Sequence, residues 1–187
     1  MKRLLLLLLT VTALVSPLLV TSAPAGAEPD PRWVFYTKDK TAYSSPWFGN
    51  SHRIMIGWGC TNAPYYAPDP SCTKGRGFHH GIDVAIGCRG RIFAGVNGWA
   101  VDHSSLGPAY GTNPLLIRNH ARGVDIVIGH TRRVYVHPGD RIRKGDVIAR
   151  VSDNGAPDGC HLHFEVRELG GGLSTAQWPR PLLGLRS

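Results

Sequence analysis

Five histidines and one aspartate fall in three short stretches of this sequence. The first, Phe78-His79-His80-Gly81-Ile82-Asp83, contains His-x-x-x-Asp leading into a β-prone run. The second, Ile128-Gly129-His130, ends another such run, and the third, Cys160-His161-Leu162-His163-Phe164-Glu165, contains His-x-His. Side chains along a strand alternate between faces, so His161 and His163 project from one face, roughly 7 Å apart. Two imidazoles that close suit a metal ligand beside a catalytic base. Each pattern is weak alone, because surface histidines pair by chance. Together they supply the two histidines and one aspartate that a catalytic zinc takes, with a fourth position left to water. The sequence has no His-Glu-x-x-His helix motif, so any general base has to come from the histidines themselves.

These residues need a scaffold that brings distant stretches together. From Phe78 onward the sequence is a series of short runs rich in Val, Ile and Phe, broken by Gly and Pro. The expected strands are Ile82–Ile86, Arg91–Ala94, Trp99–His103, Leu115–Asn119, Val124–His130, Asp146–Ser152 and Leu162–Arg167. Ala121-Arg122-Gly123 reads as a hairpin turn, and Val136 to Asp140 as a Pro-Gly turn. Residues 28–77 read as an irregular segment packed on the core, with edge strands over Trp33–Tyr36 and Arg53–Ile56. The tail, Gly170 to Ser187, reads as a surface wrap tucked down by Trp178 and Leu182-Leu183. The expectation is a single-domain, mostly antiparallel β protein, with residues 78–187 as its main body.

The compartment is written at the start. Met1-Lys2-Arg3 is basic, Leu4 to Val20 is almost wholly apolar, and Ala25-Gly26-Ala27 is the small-x-small pattern of a cleaved signal peptide. The apolar stretch is short and interrupted by Thr10, Thr12, Ser16 and Pro17, which is marginal for spanning roughly 30 Å of hydrocarbon. Residues 1–27 are therefore expected to be removed, giving a secreted, monomeric chain without stable membrane association. Losing Lys2 and Arg3 lowers the formal charge from +8 to about +6. A basic exported protein points away from nucleic acid and toward the anionic polymers of cell walls, through an attraction that salt weakens. The four cysteines, Cys60, Cys72, Cys88 and Cys160, read as two disulfides, with three pairings open. No two are spaced as a Cys-x-x-Cys zinc knuckle. Cys60 with Cys72, closing the Pro-rich loop from Ala63 to Pro70, is the favoured first pair.

The run from Gly77 to Ala85, the pair Gly129-His130, the segment from Pro138 to Asp146 and the run from Gly159 to Val166 resemble the lysostaphin-type peptidoglycan metalloendopeptidases. The resemblance covers about residues 75–167, in the family's order. It implies an antiparallel β core with an open groove and hydrolysis of peptide bonds in bacterial peptidoglycan. Residue by residue, it makes His79, Asp83 and His163 the ligands of one zinc ion, and His130 and His161 the catalytic histidines. All five positions are filled. Convergence of Asp83 and His163 on one ion, from antiparallel strands, would also bring Cys88 beside Cys160. Three features depart from the family's pattern: Ile128 stands where an aromatic is usual, Cys160 where Pro is usual, and the approach from Asn154 to Gly159, at the rim of the groove, is unusual.

Other residues read more plainly. Strand alternation turns His80 away from the metal, and His52, His103, His120 and His137 read as surface or turn residues. Glu165 shares a face with His163 and either orients its imidazole or ends a strand at the surface. Tyr65, Tyr66 and Trp58 either line a groove or simply pack. Two other classes compete with the peptidase: a non-catalytic binder on the same fold, whose signature would be a substituted ligand, and a disulfide-stapled binding module that happens to be rich in histidine.

Overall fold

Leu162, Phe164 and Val166 alternate with His163, Glu165 and Arg167. In the computed structural model, which describes residues 29–187, this alternation sorts one curled antiparallel sheet into two faces. The leader expected over residues 1–27 lies outside the described residues. The strands in chain order are β1 (Ala42–Ser45), β2 (Phe48–Ile56), β3 (Gly59–Thr61), β4 (Gly77–His79), β5 (Gly81–Val84), β6 (Arg91–Phe93) and β7 (Gly98–Val101). They continue with β8 (Leu115–Asn119), β9 (Val124–Gly129), β10 (Thr131–Val134), β11 (Arg141–Ile142), β12 (Val147–Val151), β13 (Leu162–Glu168) and β14 (Ala176–Gln177), before a single helical turn, α1 (Arg180–Leu183). The main sheet runs β10-β12-β6-β2-β5-β13-β9-β8-β7-β11, with β1 on β2 and β14 on β13, while β3 and β4 pair separately.

The inner face of the curl is the core. Phe164, Ile126, Ile128, Ile117, Ile92 and Val84 are fully or almost fully buried there, and Trp47 meets Phe164 edge to face at 4.8 Å. β13 pairs with β5 on one side and β9 on the other, so one strand sets the register for both. In an antiparallel sheet, paired residues share a face. His163 is opposite Asp83 and Gly129, and Phe164 is opposite Ile82 and Ile128. The residues that bury the core therefore also fix where the histidines point.

All seven strands expected from Phe78 onward form, within one or two residues of the expected ends. β9 stops at Gly129 because His130 takes a left-handed backbone, φ 55°, that no ladder accommodates. The segment before Gly77 differs from the loops and edge strands expected. β2 is nine residues long and lies inside the sheet between β5 and β6, while Trp33–Tyr36 is not a strand. In the tail, Leu183 is buried against the core, but Trp178 is exposed. The anchor is instead β14 on β13, a bridge between Ser44 and Arg186, and the Trp47 indole donating to the Leu182 carbonyl at 3.0 Å.

Both disulfides form, Cys60 with Cys72 and Cys88 with Cys160. The second joins the chain beyond β5 to the residue just before His161. The N-terminal segment grips the same residue from outside. The Asp30 carboxylate accepts from the Cys160 backbone N–H at 2.9 Å, and the Trp33 indole donates to the Cys160 carbonyl at 2.6 Å.

Candidate active site

His79 closes β4, Asp83 lies in β5, and His163 lies in β13, directly opposite Asp83. All three side chains are almost completely buried. His163 Nδ1 is 2.9 Å from Asp83 Oδ1 and 3.2 Å from His79 Nε2, and His79 Nε2 is 3.4 Å from Asp83 Oδ1. Three donor atoms thus face one point and could hold a metal ion.

The far side of each imidazole is also tied. His79 Nδ1 lies 3.0 Å from the Gly57 carbonyl, and His163 Nε2 lies 3.3 Å from Glu165 Oε2. With a metal at the shared point, each ring would thereby be held in the tautomer whose lone pair faces it. Glu165 is itself braced. Arg167 Nε donates to its Oε1 at 2.5 Å, the Tyr110 hydroxyl donates to its Oε2 at 2.9 Å, and Arg167 Nη2 donates to that hydroxyl oxygen at 2.8 Å. His163 could not sit here over any other residue at position 81. A Cβ on Gly81 would lie 2.5 Å from His163 Cε1 and 2.9 Å from the Phe164 carbonyl.

The remaining two histidines close the site from the opposite side. The His130 and His161 rings stand 4.5 Å apart. His130 reaches this position through its left-handed backbone, the kind of strain that folds retain at functional sites. Hydrogen bonds pin it on both sides: its N–H donates to the Tyr110 carbonyl, and its carbonyl accepts from the Ser152 N–H. Its Nδ1 lies 2.9 Å from the Asn154 carbonyl. His161 Nδ1 lies 3.0 Å from the Gly159 carbonyl and 3.5 Å from Asp158 Oδ1. His161 Nε2 is buried, has no hydrogen-bond partner among the described residues, and lies 3.6 Å from Asp83 Oδ1.

The electrostatics follow from burial and these pairings. Burial favours a protonated Asp83, but the neighbouring imidazoles of His79 and His161 and the hydrogen bond to His163 outweigh it and hold the carboxyl well below its usual range. Burial pushes the His163 imidazole down, yet hydrogen bonds to Asp83 and Glu165 raise it to about 9. Burial and the neighbouring imidazoles of His161 and His163 drive His130 down to about 3. Burial pushes the Asp158 carboxyl up.

A cavity of about 350 Å³ opens beside this cluster, lined by Tyr65, Tyr66, Asp83, His130, Asp158 and His161. The structure thus brings together all five residues singled out in the sequence. His80 is turned away and half-buried against Trp58 and Phe78. His52, His103, His120 and His137 do not line the cavity. Glu165 is buried and not a surface residue. Tyr66, with its ring 5.1 Å from that of His79, and Tyr65 line the groove, whereas Trp58 packs against Phe78. Sequence reasoning did not find Asp158, Tyr110 or Arg167. Arg167 carried a usable signal, since it continues the alternation His163, Glu165, Arg167 along one strand face.

Solved structures share this arrangement of strands, and a curated protein is similar in sequence. Over 98 residues the chain is 32% identical to the lipoprotein NlpD/LppB homolog of Pseudomonas aeruginosa, a match covering 52% of this chain and 32% of that protein. The chain thus spans about a third of the length of that curated relative. The structure of LytU superposes with a TM-score of 0.58 at 28% identity, covering 72% of this chain and 86% of LytU. The catalytic domain of the antimicrobial peptidase lysostaphin from Staphylococcus simulans superposes with a TM-score of 0.60 at 24% identity, covering 75% of this chain and 98% of that domain, and so shares the fold. Residues 77–175, from the start of β4 to just before β14, match peptidase family M23, and the chain belongs to that family.

Proposed function

We propose that this chain is a secreted zinc metalloendopeptidase that hydrolyses peptide cross-links or stem peptides of bacterial peptidoglycan. The observation that carries the proposal is the triangle of His79 Nε2, Asp83 Oδ1 and His163 Nδ1, with edges of 2.9 to 3.4 Å. Ligand atoms about 2.0 Å from a tetrahedral zinc lie about 3.3 Å from one another. Two imidazoles and one carboxylate suit zinc, and each ring has the polar partner on its far nitrogen that zinc-bound histidines keep. The leader pattern and the two disulfides support export. The lysostaphin resemblance supports peptidoglycan as substrate.

When bound, zinc supplies Lewis-acid chemistry, polarising an amide carbonyl and lowering the pKa of a water toward 7. The protein's own groups supply the rest. His161 and His130 donate Nδ1–H to the Gly159 and Asn154 carbonyls, which leaves each Nε2 lone pair free to accept a proton or a hydrogen bond. Asp158 Oδ1 lies 3.5 Å from His161 Nδ1 and helps to aim that ring. We therefore assign His161 the role of taking the proton of the attacking water and returning it to the leaving amine. His130, kept neutral by burial, accepts a hydrogen bond from the water and holds it in line. Tyr65 and Tyr66 wall the groove where the peptide lies.

The test is release of peptides from isolated peptidoglycan by the purified chain, with and without chelator, the fragments being weighed by mass spectrometry. Release that stops with chelator and returns with zinc supports the proposal, and the fragment masses name the bond. A folded, zinc-bearing chain that releases nothing from any wall type overturns it.

A further inference from the structure

A second cavity, of about 390 Å³, lies at the far end of the sheet, where β7, β8 and β11 meet the turns that flank them. Its floor is a row of three residues in register: Arg141 on β11 is opposite Trp99 on β7, which is opposite Arg118 on β8. Paired residues share a face, and the row continues through Asp125 on β9 to Arg167 on β13. Trp99, Arg118 and Arg141 thus lie on the sheet face that carries His163 and Glu165. Counting strand spacing and rise, Trp99 stands roughly 20 Å from His163.

The chemistry of this pocket is one-sided. Arg118, Arg122, Arg141 and Lys144 line it, and no carboxylate does. Arg118 is held flat by two hydrogen bonds to the buried Asp125, at 2.9 and 2.8 Å. Among the described residues, Arg122, Arg141 and Lys144 have no ion-pair partner. The nearest acids in sequence are occupied elsewhere: Asp140 accepts from the His137 N–H and Asp146 from the Arg143 N–H, each at 2.7 Å. Trp99 is 45% exposed in the midst of these cations, although the next residue, Ala100, is buried in the core.

The rim is built rather than loose. The Asn97 side chain accepts from the Lys144 N–H at 2.8 Å, and its carbonyl accepts from the Asn119 side chain at 2.9 Å. Asn119, itself buried, also accepts from the Arg122 N–H at 2.9 Å. One asparagine pair thus fixes the two turns that carry Lys144 and Arg122. An exposed indole offers a flat apolar face to a ring, and a concave cationic surface without counter-ions selects anions.

We infer that this pocket binds a saccharide bearing a phosphate or carboxylate, the ring on Trp99 and the anion among Arg122, Arg141 and Lys144, so that the wall polymer is held at a fixed distance from the catalytic groove. The saccharide part rests on the peptidoglycan reading above, and the anion selectivity does not. The experiment is isothermal titration of the intact chain, with chelator present so that no hydrolysis intervenes. Four probes of similar length are used: peptide-stripped glycan strands carrying free carboxylates, a sugar-substituted polyol-phosphate polymer, a neutral N-acetylglucosamine oligomer and inorganic polyphosphate.

The expected result is binding of one or both anionic saccharides, and whichever binds names the source of the anion. Trp99→Ala should weaken that binding roughly fivefold to tenfold. Arg141→Gln combined with Lys144→Gln should weaken it at least about tenfold at low salt and flatten its salt dependence. Peptide-bond hydrolysis in a short soluble substrate should be unchanged in both variants. Equal binding of polyphosphate, equal binding of the neutral oligomer, no loss on Trp99→Ala, or no binding at all would each overturn the inference. Because binding is read without turnover, its failure leaves the peptidase proposal standing, and an inactive peptidase leaves this result standing.

Discussion

Replacing Glu165 by Gln removes one negative charge while keeping the size of the side chain, at a position only 1% exposed. In the native chain Glu165 Oε2 faces His163 Nε2 at 3.3 Å, and Oε1 accepts from Arg167 at 2.5 Å. Glu165→Gln leaves His163 a neutral partner and so makes Nδ1 a poorer metal donor. Loss of such a partner typically costs 10- to 100-fold in metal affinity, or about 1.4 to 2.7 kcal/mol. The substitution also removes the charge paired with the buried Arg167 guanidinium, which keeps only neutral acceptors, the introduced amide oxygen and the Tyr110 hydroxyl. Breaking a buried pair from one side costs about 3 kcal/mol of folding stability. Both effects are measurable on one sample: zinc affinity by competition with a chromophoric chelator, and stability by urea unfolding of the metal-free chain. If zinc affinity stays within about threefold of the native value while stability falls as expected, Glu165 serves only Arg167. The account of how His163 is aimed is then wrong.

Four further outcomes follow from particular contacts. Gly81→Ala places a methyl 2.5 Å from His163 Cε1, so the chain should fold with a loss of about 1–3 kcal/mol yet bind zinc poorly and release no peptides; native-like zinc affinity would refute the packing argument. Asp158→Asn should lower kcat about tenfold or more with KM little changed, whereas unchanged kinetics would separate Asp158 from His161. Opening the Cys88–Cys160 bond, which spans 72 residues, should cost about 4 kcal/mol against about 3 for Cys60–Cys72, which spans 12, as read by denaturant midpoints of the two Cys→Ser pairs. In the chelated chain, His163 is raised to about 9, so its contribution to stability is complete below about pH 6.5 and is lost as pH rises through about 9. His130 is lowered to about 3 and acts in the opposite sense, because the unfolded chain takes up that proton first and stability falls as pH drops below about 6.5. Urea midpoints should therefore peak near neutrality, and His130→Ala should flatten the acid side alone.

The parts of this fold legible in the sequence are those governed by period-two alternation. Leu162-His163-Phe164-Glu165-Val166-Arg167 announces both a strand and its two faces, and β13 fixes the register of β5 and β9. The facing of His163 and Asp83 and the nearness of Cys88 to Cys160 then follow. β2 stayed hidden because its first half, Gly49-Asn50-Ser51-His52, has the composition of a loop. Its place in the sheet is set by pairing with β5 and β6, which are distant in sequence. Asp158 and Tyr110 stayed hidden for a related reason. Both lie in Gly- and Pro-rich stretches with no period, and each acquires meaning only through a partner that the sheet delivers: His161 for Asp158, Glu165 for Tyr110. His130 is the instructive intermediate case. Its chemistry was readable from Gly129-His130, but its direction depends on a left-handed backbone that residues other than glycine avoid. That conformation persists because Tyr110 and Ser152 bond its peptide groups from either side. The strand pattern thus supplies the ligand triangle, while the loops, held by contacts the pattern does not encode, supply the two histidines' aim.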